Sequence, residues 1–325
     1  MGNSTNGRIT RRQWLAGAAS LAGVSVMPTG AWARTRGGIN GVAVGAISYS
    51  FRELPGHAGK ILDYLLACKL DCVELMGEAA EDYAGAPPMP PFPTAAPGQA
   101  PSDAAVTAWF KERERGDSER SAWRRHAPMD AYRKLRRLYD DAGVRIDILK
   151  LGDAKWSDAD NDYAYEVARI LGARGISFEA DDKAGAHMGP FAVRHHMING
   201  MHTHGQFADP AFDLDRLLAT SRASRLNFDV GHYVGTTGKS PVELLQKYHD
   251  RISHLHLKDR KSAANGGANV AWGQGDTPLR DVLRLLQKQR WPIPAMIELE
   301  YPTPVGSSVL AEMRKCVQYC RDALA

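Results

Sequence analysis

The sequence predicts a single (β/α)8 barrel, and three observations support that prediction. From residue 41 onward, short β-branched runs alternate with longer amphipathic segments, which is the pattern of a parallel sheet covered by helices. Eight such cycles can be counted, as many as a closed barrel needs. The chain has 325 residues, which fits one such barrel once an N-terminal segment is set aside.

That N-terminal segment, residues 1–33, is predicted to be a twin-arginine export signal, so the barrel is expected to span residues 34–325. Arg11 and Arg12 precede a weakly apolar run rich in Ala and Gly, and an Ala-Trp-Ala site at residues 31–33 closes it. The run is shorter than the roughly 20 residues that a bilayer crossing needs, so stable membrane association is not expected. We expect contact with the twin-arginine translocase during export and a periplasmic or secreted barrel.

The charge of the barrel bears on its partners. The formal net charge is +4 for the chain and falls to +1 without residues 1–33, because three arginines and no acidic residue are removed. Binding to a nucleic-acid polyanion depends on clustered Lys and Arg side chains. A nearly neutral barrel therefore argues against a nucleic acid as its partner.

The cysteines form two pairs, each spaced by four residues: Cys68 with Cys72, and Cys316 with Cys320. Our first interpretation is that all four are buried thiols. The alternative is a disulfide from Cys68 or Cys72 to the last helix, since the first and last helices of a closed barrel are neighbours and the periplasm is oxidising. The sequence leaves open whether the barrel forms a homo-oligomer.

The strands are predicted at residues 41–48, 72–76, 144–150, 175–179, 198–204, 226–230, 252–258 and 295–300. After the second strand the rhythm breaks, because six prolines between residues 87 and 97 cannot occupy helix interiors or donate in a sheet. We therefore predict a long Pro-rich irregular loop over residues 80–125. It carries Trp109, Phe110 and Trp123, and it is either a lid over a sugar ring or a flexible loop without a functional role.

The predicted strands end in carboxylates, imidazoles and lysines, at the end of the barrel where working residues usually lie. In strand order these residues are Glu74, Lys150, Glu179, His202, His204, Asp229, His232, His254, His256, Lys258, Glu298 and Glu300. Unpaired charges converging on the barrel axis would repel one another, and their burial would cost much free energy. A divalent cation would remove that cost.

A set of two carboxylates and two imidazoles with open positions suits Mn, Zn, Mg or Co, and the mixed nitrogen and oxygen ligands do not choose among them. The candidate ligands are His202, Asp229, His256 and Glu298. A lone histidine in an apolar strand is more often structural, and we interpret His254 in that way. Glu300 is the alternative to Glu298.

Seven motifs lie along these strands: residues 48–52 (SYSFR), 73–77 (VELMG), 201–205 (MHTHG), 228–232 (FDVGH), 254–259 (HLHLKD), 273–278 (GQGDTP) and 297–300 (IELE). Together they resemble the xylose isomerase-like TIM barrels, a family often labelled sugar phosphate isomerase/epimerase. The likeness extends over essentially all of residues 34–325.

The resemblance implies one metal ion held by side chains from successive strands. Ketose epimerases of that family use Glu, Asp, His and Glu, and Asp229, His256 and Glu298 match the last three. His202 stands where those epimerases have the first glutamate, which they pair with the last one as two proton-transferring bases. A symmetric two-glutamate mechanism is therefore not implied. Other relatives, such as inosose dehydratases and proposed 3-keto-glycoside hydratases, add or remove water beside a ketone.

The sequence thus predicts a divalent-metal-dependent isomerase or epimerase, or a hydratase or dehydratase, acting next to the carbonyl of a ketose or keto-glycoside through an enediolate. The alternative is a non-catalytic periplasmic sugar-binding barrel. The expected catalytic residues are Glu179, Glu298 and Lys258. The expected substrate-binding residues are Glu74, Lys150, His204 and His232.

Overall fold

The computed structural model describes residues 38–91, 93 and 101–325, and within them eight parallel strands close into a barrel in chain order. The last strand pairs with the first, so the predicted (β/α)8 architecture is confirmed. The strands are β1 (Val44–Ile47), β2 (Cys72–Met76), β3 (Arg145–Lys150), β4 (Gly175–Glu179), β5 (Ile198–His202), β6 (Ser224–Asp229), β7 (Ile252–Leu257) and β8 (Ala295–Ile297). The predicted export signal, residues 1–33, lies outside the described residues.

The bounds of β2 and β4 are those predicted, whereas β1, β5 and β8 are shorter than predicted. The difference matters most at β8, where Glu298 lies just beyond the strand instead of inside it. Its backbone N–H still donates to the carbonyl of Leu257 at 2.9 Å, which continues the pairing with β7 by one residue. Glu298 is thereby held at the carboxyl end of the barrel.

Helices surround the strands, and most of them bury an apolar face. They are α1 (Ala58–Ala67), α2 (Gly77–Tyr83), α3 (Asp103–Arg124), α4 (Met129–Asp141), α5 (Asp158–Leu171), α6 (Asp182–Arg194), α7 (Leu214–Ala219), α8 (Val230–Thr237), α9 (Val242–Tyr248), α10 (Leu279–Gln289) and α11 (Val309–Leu324). In α10, for example, Leu279, Val282, Leu283 and Leu286 are buried at helical spacing. Among the described residues, no helix combines the length and apolar composition that a membrane crossing requires.

The prediction that residues 80–125 are irregular is wrong for most of that segment, because the 22-residue helix α3 occupies its second half. Ser102 accepts a hydrogen bond from the N–H of Ala105 and caps α3. No proline follows within the helix, and its Ala, Glu and Arg residues favour helix formation. The residues that follow the prolines therefore form a regular helix from Asp103 onward.

Helix α3 is held against α2 by buried ion pairs. Glu81 is fully buried and lies 2.7 Å from the Nε of Arg124 and 3.1 Å from a guanidinium nitrogen of Arg120. Arg120 also pairs with Asp82 and donates from Nε to the Pro87 carbonyl at 2.9 Å. These contacts fix the C-terminal half of α3 to the barrel, although Phe110 in its N-terminal half remains exposed.

All four cysteines are buried free thiols, as the first interpretation of the sequence expects. Burial raises the pKa of the Cys72 thiol to about 12, with the Asp147 carboxylate adding to the effect. Such a thiol stays protonated.

Candidate functional site

Four side chains from consecutive strands converge at the carboxyl end of the barrel. His202 and Asp229 end β5 and β6, His256 is the last but one residue of β7, and Glu298 follows β8. All four are buried, and one ligand atom from each lies within 4.8 Å of the others. The parallel register places Asp229 directly opposite His256. The structure thus brings together the four predicted metal ligands, which we call the ligand cluster.

The inward-facing atoms of the ligand cluster form no hydrogen bond with the residues that the structure describes; these atoms are His202 Nε2, Asp229 Oδ2, His256 Nδ1 and Glu298 Oε2. The two carboxylate oxygens have an ion-pair contact with the ammonium of Lys258. Buried polar atoms without a partner are rare, because each carries the free-energy cost of its lost hydration. Two imidazole nitrogens and two carboxylate oxygens that face one another in this way form a donor set that fits a divalent cation.

Lys258 lies beside the ligand cluster and balances part of its charge. Its buried Nζ is 2.8 Å from Glu298 Oε2, 3.0 Å from Asp229 Oδ2 and 2.5 Å from Glu300 Oε2. Burial alone would lower the pKa of Lys258, but the three carboxylates more than offset it and raise the pKa. Burial likewise tends to raise the pKa values of Asp229 and Glu298, and the Lys258 ammonium lowers both. The carboxylates therefore stay ionised and Lys258 stays charged.

The geometry also separates Glu298 from Glu300. Glu298 belongs to the ligand cluster, whereas Glu300 does not and instead accepts a hydrogen bond from Lys258. The geometry therefore supports the prediction that Glu298, and not Glu300, is the ligand. Glu300 instead holds the Lys258 side chain in place.

Glu74 lies inside the barrel and contacts protein groups through both oxygens. Its Oε2 is 2.5 Å from His256 Nε2 and 3.0 Å from His254 Nε2, and Ser177 donates to Oε1. Burial raises the pKa of Glu74, but His254 and His256 lower it well below its usual value. With no exposed surface, Glu74 orients His256 instead of making the predicted contact with a substrate.

A second group of side chains forms the rim of the site: Lys150, Glu179 and His204. Lys150 Nζ lies 2.9 Å from Glu179 Oε1 and 3.2 Å from His202 Nδ1, and Glu179 Oε2 lies 3.2 Å from His204 Nε2. Burial raises the pKa of Glu179, but Lys150 and the two histidines lower it more. Burial and the neighbouring His202 lower the pKa of His204 to about 4. The rim thus presents an exposed carboxylate beside a neutral imidazole.

His232 completes the predicted set. Its backbone N–H donates to Asp229 Oδ1 at 2.8 Å, because Asp229 is the N-cap of α8. In its ring, Nε2 is 3.0 Å from Lys258 Nζ, and Nδ1 is 2.6 Å from a guanidinium nitrogen of Arg260. Burial lowers the pKa of His232 to about 3, so the ring is neutral. Arg260 was not predicted from the sequence, since one arginine beyond a strand end carries no distinguishing pattern.

Residues 183–321 match the sequence model of one family, described as xylose isomerase-like TIM barrel. These residues include all four members of the ligand cluster. The match covers less than half of the chain, and over that part the barrel is similar to this family.

The curated proteins to which the chain is similar include inosose dehydratases. That of Clostridium botulinum (strain Eklund 17B / Type B) is 29% identical over 130 residues, which cover 35% of this chain and 41% of the relative. The chain therefore aligns with less than half the length of that protein. The likeness is local, and it covers a minority of both chains.

Solved structures resemble the barrel over most of its length. A sugar phosphate isomerase/epimerase from Parabacteroides distasonis superposes with a TM-score of 0.57 and 16% identity, covering 87% of this chain and 95% of the other. A D-psicose 3-epimerase from Clostridium cellulolyticum H10 gives a TM-score of 0.56 and 9% identity, covering 87% and 99%. At such identities the likeness shows the shared fold.

Proposed function

We propose that this barrel is a metal-dependent lyase that removes water next to the carbonyl of a ketose, a keto-inositol or a keto-glycoside, or adds water in the reverse direction. The observation that carries the proposal is the ligand cluster, in which four buried atoms face one another without hydrogen-bond partners. Epimerisation at the same carbon is the second candidate, because it begins with the same proton removal.

His202, Asp229, His256 and Glu298 would hold the cation, which we propose to be one of Mn, Zn, Mg or Co. When bound, it supplies a Lewis acid that polarises the substrate carbonyl. Lys258 sits against the carboxylates of the same cluster and is the proposed source of a proton for a departing oxygen.

Glu179 is the proposed base. More than half of its side chain is exposed, so it can reach a substrate in the mouth, and Lys150 and His204 hold its two oxygens. Glu298 is the other candidate, but its Oε2 faces the ligand cluster. A base that is not itself a ligand remains free to accept a proton from carbon.

The proposed dehydration starts at the carbon next to the carbonyl. Glu179 takes the proton from the carbon next to the carbonyl, and the electron pair of that bond forms the new double bond. The bond to the β-hydroxyl breaks, and the hydroxyl leaves as water after taking a proton from Lys258. His202 supports this outcome, because it stands where ketose epimerases have the first of two glutamate bases. The names of the curated relatives, all inosose dehydratases, point the same way.

The test is incubation of the metal-loaded protein in heavy water with a panel of ketoses, inososes and 3-keto-glycosides. Loss of one water mass, with deuterium at the carbon that lost the hydroxyl once the enol product becomes a ketone, supports the lyase. Deuterium at the carbon next to the carbonyl without a mass loss supports epimerisation. The non-catalytic sugar-binding alternative predicts affinity that survives chelation and no deuterium uptake. Glu179→Gln should abolish exchange while keeping the metal, and the exposed Glu166→Gln is the matched control.

A further inference from the structure

The motif at residues 48–52 (SYSFR) has no role in the proposed function, yet its first four residues form a short 3-10 helix directly after β1, which we call the β1 turn. Ser48 Oγ accepts a hydrogen bond from the N–H of Met76, at the end of β2, at 2.8 Å. Ser50 Oγ accepts from the N–H of Leu299, just beyond the end of β8, at 3.0 Å. The β1 turn is therefore fixed to the carboxyl ends of both strands that flank β1.

Tyr49 is the partly exposed member of the β1 turn, and its three neighbours there are buried. Burial raises the pKa of the Tyr49 phenol above its usual value, and Arg52 lowers it only in part. The charges of Glu300, Glu298 and Lys258 also act on the phenol. Electrostatic effects weaken with distance, so the ring lies on the side of the mouth that these three residues form.

Arg52 holds the ring of Tyr49 in place. One terminal guanidinium nitrogen donates to the Leu299 carbonyl at 2.8 Å and to the carbonyl of Tyr49 at 3.3 Å. The guanidinium carbon lies 4.6 Å from the centroid of the Tyr49 ring, which is a cation–π contact. Because the guanidinium is bound to the main chain on both sides of β1 closure, the ring that it covers has little freedom to turn.

The phenol oxygen of Tyr49 has no hydrogen-bond partner within the part of the chain that the structure describes. The buried phenol of Tyr139, by contrast, donates to the Ala58 carbonyl at 2.7 Å. The polar end of a tyrosine usually finds such a partner when the ring is packed against protein. The fold thus holds the Tyr49 hydroxyl at the mouth without using it, and it is available to a ligand.

The strand order sets the position of Tyr49 relative to the proposed base, Glu179. In a closed barrel of eight strands in chain order, β4 lies opposite β8, and β1 lies next to β8. Glu179 ends β4, whereas Tyr49 follows β1 and is connected through Arg52 to the segment beyond β8. The two side chains therefore lie on opposite sides of the mouth.

We propose that Tyr49 donates a hydrogen bond to a hydroxyl on the side of the ligand ring away from the carbon that Glu179 deprotonates, and that Arg52 is its positioning residue. The ligand class that this arrangement fits is a cyclic keto-polyol, such as a keto-inositol or a 3-keto-glycoside. A ring presents its hydroxyls at fixed spacing, so contact with two fixed groups costs it little conformational entropy. This inference rests on the proposed function and narrows its substrate class.

The test is calorimetric titration of the full-length, Mn-loaded protein with an inosose and a 3-keto-glucoside, and with monodeoxy analogues of whichever binds more tightly. All proteins carry Glu179→Gln, so that bound ligand is not consumed. Tyr49→Phe should weaken binding about threefold to tenfold, as expected for one lost hydrogen bond. The analogue that lacks the bound hydroxyl should bind equally well with Tyr49 or with phenylalanine. Tyr248→Phe is the matched control, since that hydroxyl contacts Lys247 near the start of β7, at the other end of the barrel.

Arg52→Met keeps the phenol of Tyr49 but releases its ring. It should weaken binding by no more than Tyr49→Phe does, and the double variant should bind like Tyr49→Phe alone, because Arg52 acts through Tyr49. A merely structural role of Arg52 would instead add to the effect of Tyr49→Phe, and it would weaken binding of every deoxy analogue as well.

Equal binding by the reference protein and Tyr49→Phe overturns the inference, and so does a loss of the same size for every deoxy analogue. Should Tyr49→Phe fail to fold, the comparison of Arg52→Met on the hydroxylated and deoxy ligands decides in the same way. If neither cyclic ligand binds, the inference fails, and turnover of a ketose in heavy water would leave the proposed function standing. Binding that depends on Tyr49, without deuterium uptake in the wild type, keeps the inference and excludes the proposed catalysis.

Discussion

Glu74 Oε2 lies 2.5 Å from His256 Nε2 inside the barrel, and this contact determines which nitrogen of His256 faces the ligand cluster. An ionised carboxylate only accepts hydrogen bonds, so Nε2 carries a proton and Nδ1 is the nitrogen that faces the ligand cluster. Nδ1 in turn lies 3.1 Å from Glu298 and 4.0 Å from Asp229. A carboxylate behind a metal-binding histidine fixes the ring and increases its basicity.

Glu74→Gln should therefore weaken metal binding by about 10-fold to 100-fold, the usual effect of removing such a partner. The neutral amide keeps the shape of the side chain but no longer polarises His256. Calorimetric titration of the metal-free protein with Mn or Zn measures the change. Glu166→Gln, on the exposed face of α5, is the control and should bind metal like the wild type. Equal affinities for both variants would remove Glu74 from the site.

Glu298 and Glu300 differ by their contacts, which gives a second prediction. Glu298→Gln should lose the metal in elemental analysis, because its Oε2 is one of the four inward-facing atoms of the ligand cluster. Glu300→Gln should retain it, because Glu300 lies outside the cluster and binds Lys258. Retention of metal by Glu298→Gln and its loss from Glu300→Gln would reverse the assignment.

The ligand cluster could be predicted because its members end consecutive strands, and the barrel geometry brings strand ends together whatever the loops do. The positions of His202 and Asp229 follow from the strand bounds and the parallel strand order alone. The sequence also predicts Glu74 near a strand end, but it does not predict its role. A register irregularity between Val73 and Glu74 decides whether the side chain faces the barrel interior or the mouth.

Other features depend on contacts between distant segments and had no local signal. Arg260 donates to the carbonyl of Gly267, in a loop whose conformation is held by hydrogen bonds from Gly273 and Gly275 to Asp259. The prolines of residues 87–97 are not compatible with a helix interior, and the helix formers of α3 begin only after them. Its anchors, the arginines around Glu81, are recognisable only once α2 and α3 are packed together.

The predicted export signal is tested by its two arginines. Replacing Arg11 and Arg12 by Lys keeps the charge and should leave the precursor in the cytoplasm, because the twin-arginine route reads arginine specifically. Cell fractionation followed by detection of the precursor and the shortened form measures the outcome. The same pair of substitutions at Arg34 and Arg36, after the predicted cleavage site, is the control and should not affect export. Normal export of the Lys variant would exclude the twin-arginine route.

Asp147 joins the strand ends opposite the mouth, and its burial predicts a stability effect separate from activity. Its carboxylate lies 3.1 Å from the Nε of both Arg145 and Arg174, and a terminal nitrogen of Arg174 approaches to 2.5 Å. Breaking a buried pair leaves an uncompensated charge, so Asp147→Asn should lower the free energy of unfolding by about 3–5 kcal/mol at neutral pH. Urea denaturation followed by circular dichroism measures this.

The stabilisation of the fold by Asp147 should also depend on pH. Burial raises the pKa of Asp147, but Arg174 more than offsets it, so the folded-state pKa lies below the unfolded value of about 3.9. The ionised carboxylate therefore stabilises the fold fully above that unfolded value, and the stabilisation is lost as the pH falls through the folded pKa. The difference in unfolding free energy between wild type and Asp147→Asn should shrink below about pH 4. The exposed Asp63→Asn should change stability by less than about 0.5 kcal/mol. A difference that grows as the pH falls would mean that Asp147 is protonated in the native barrel.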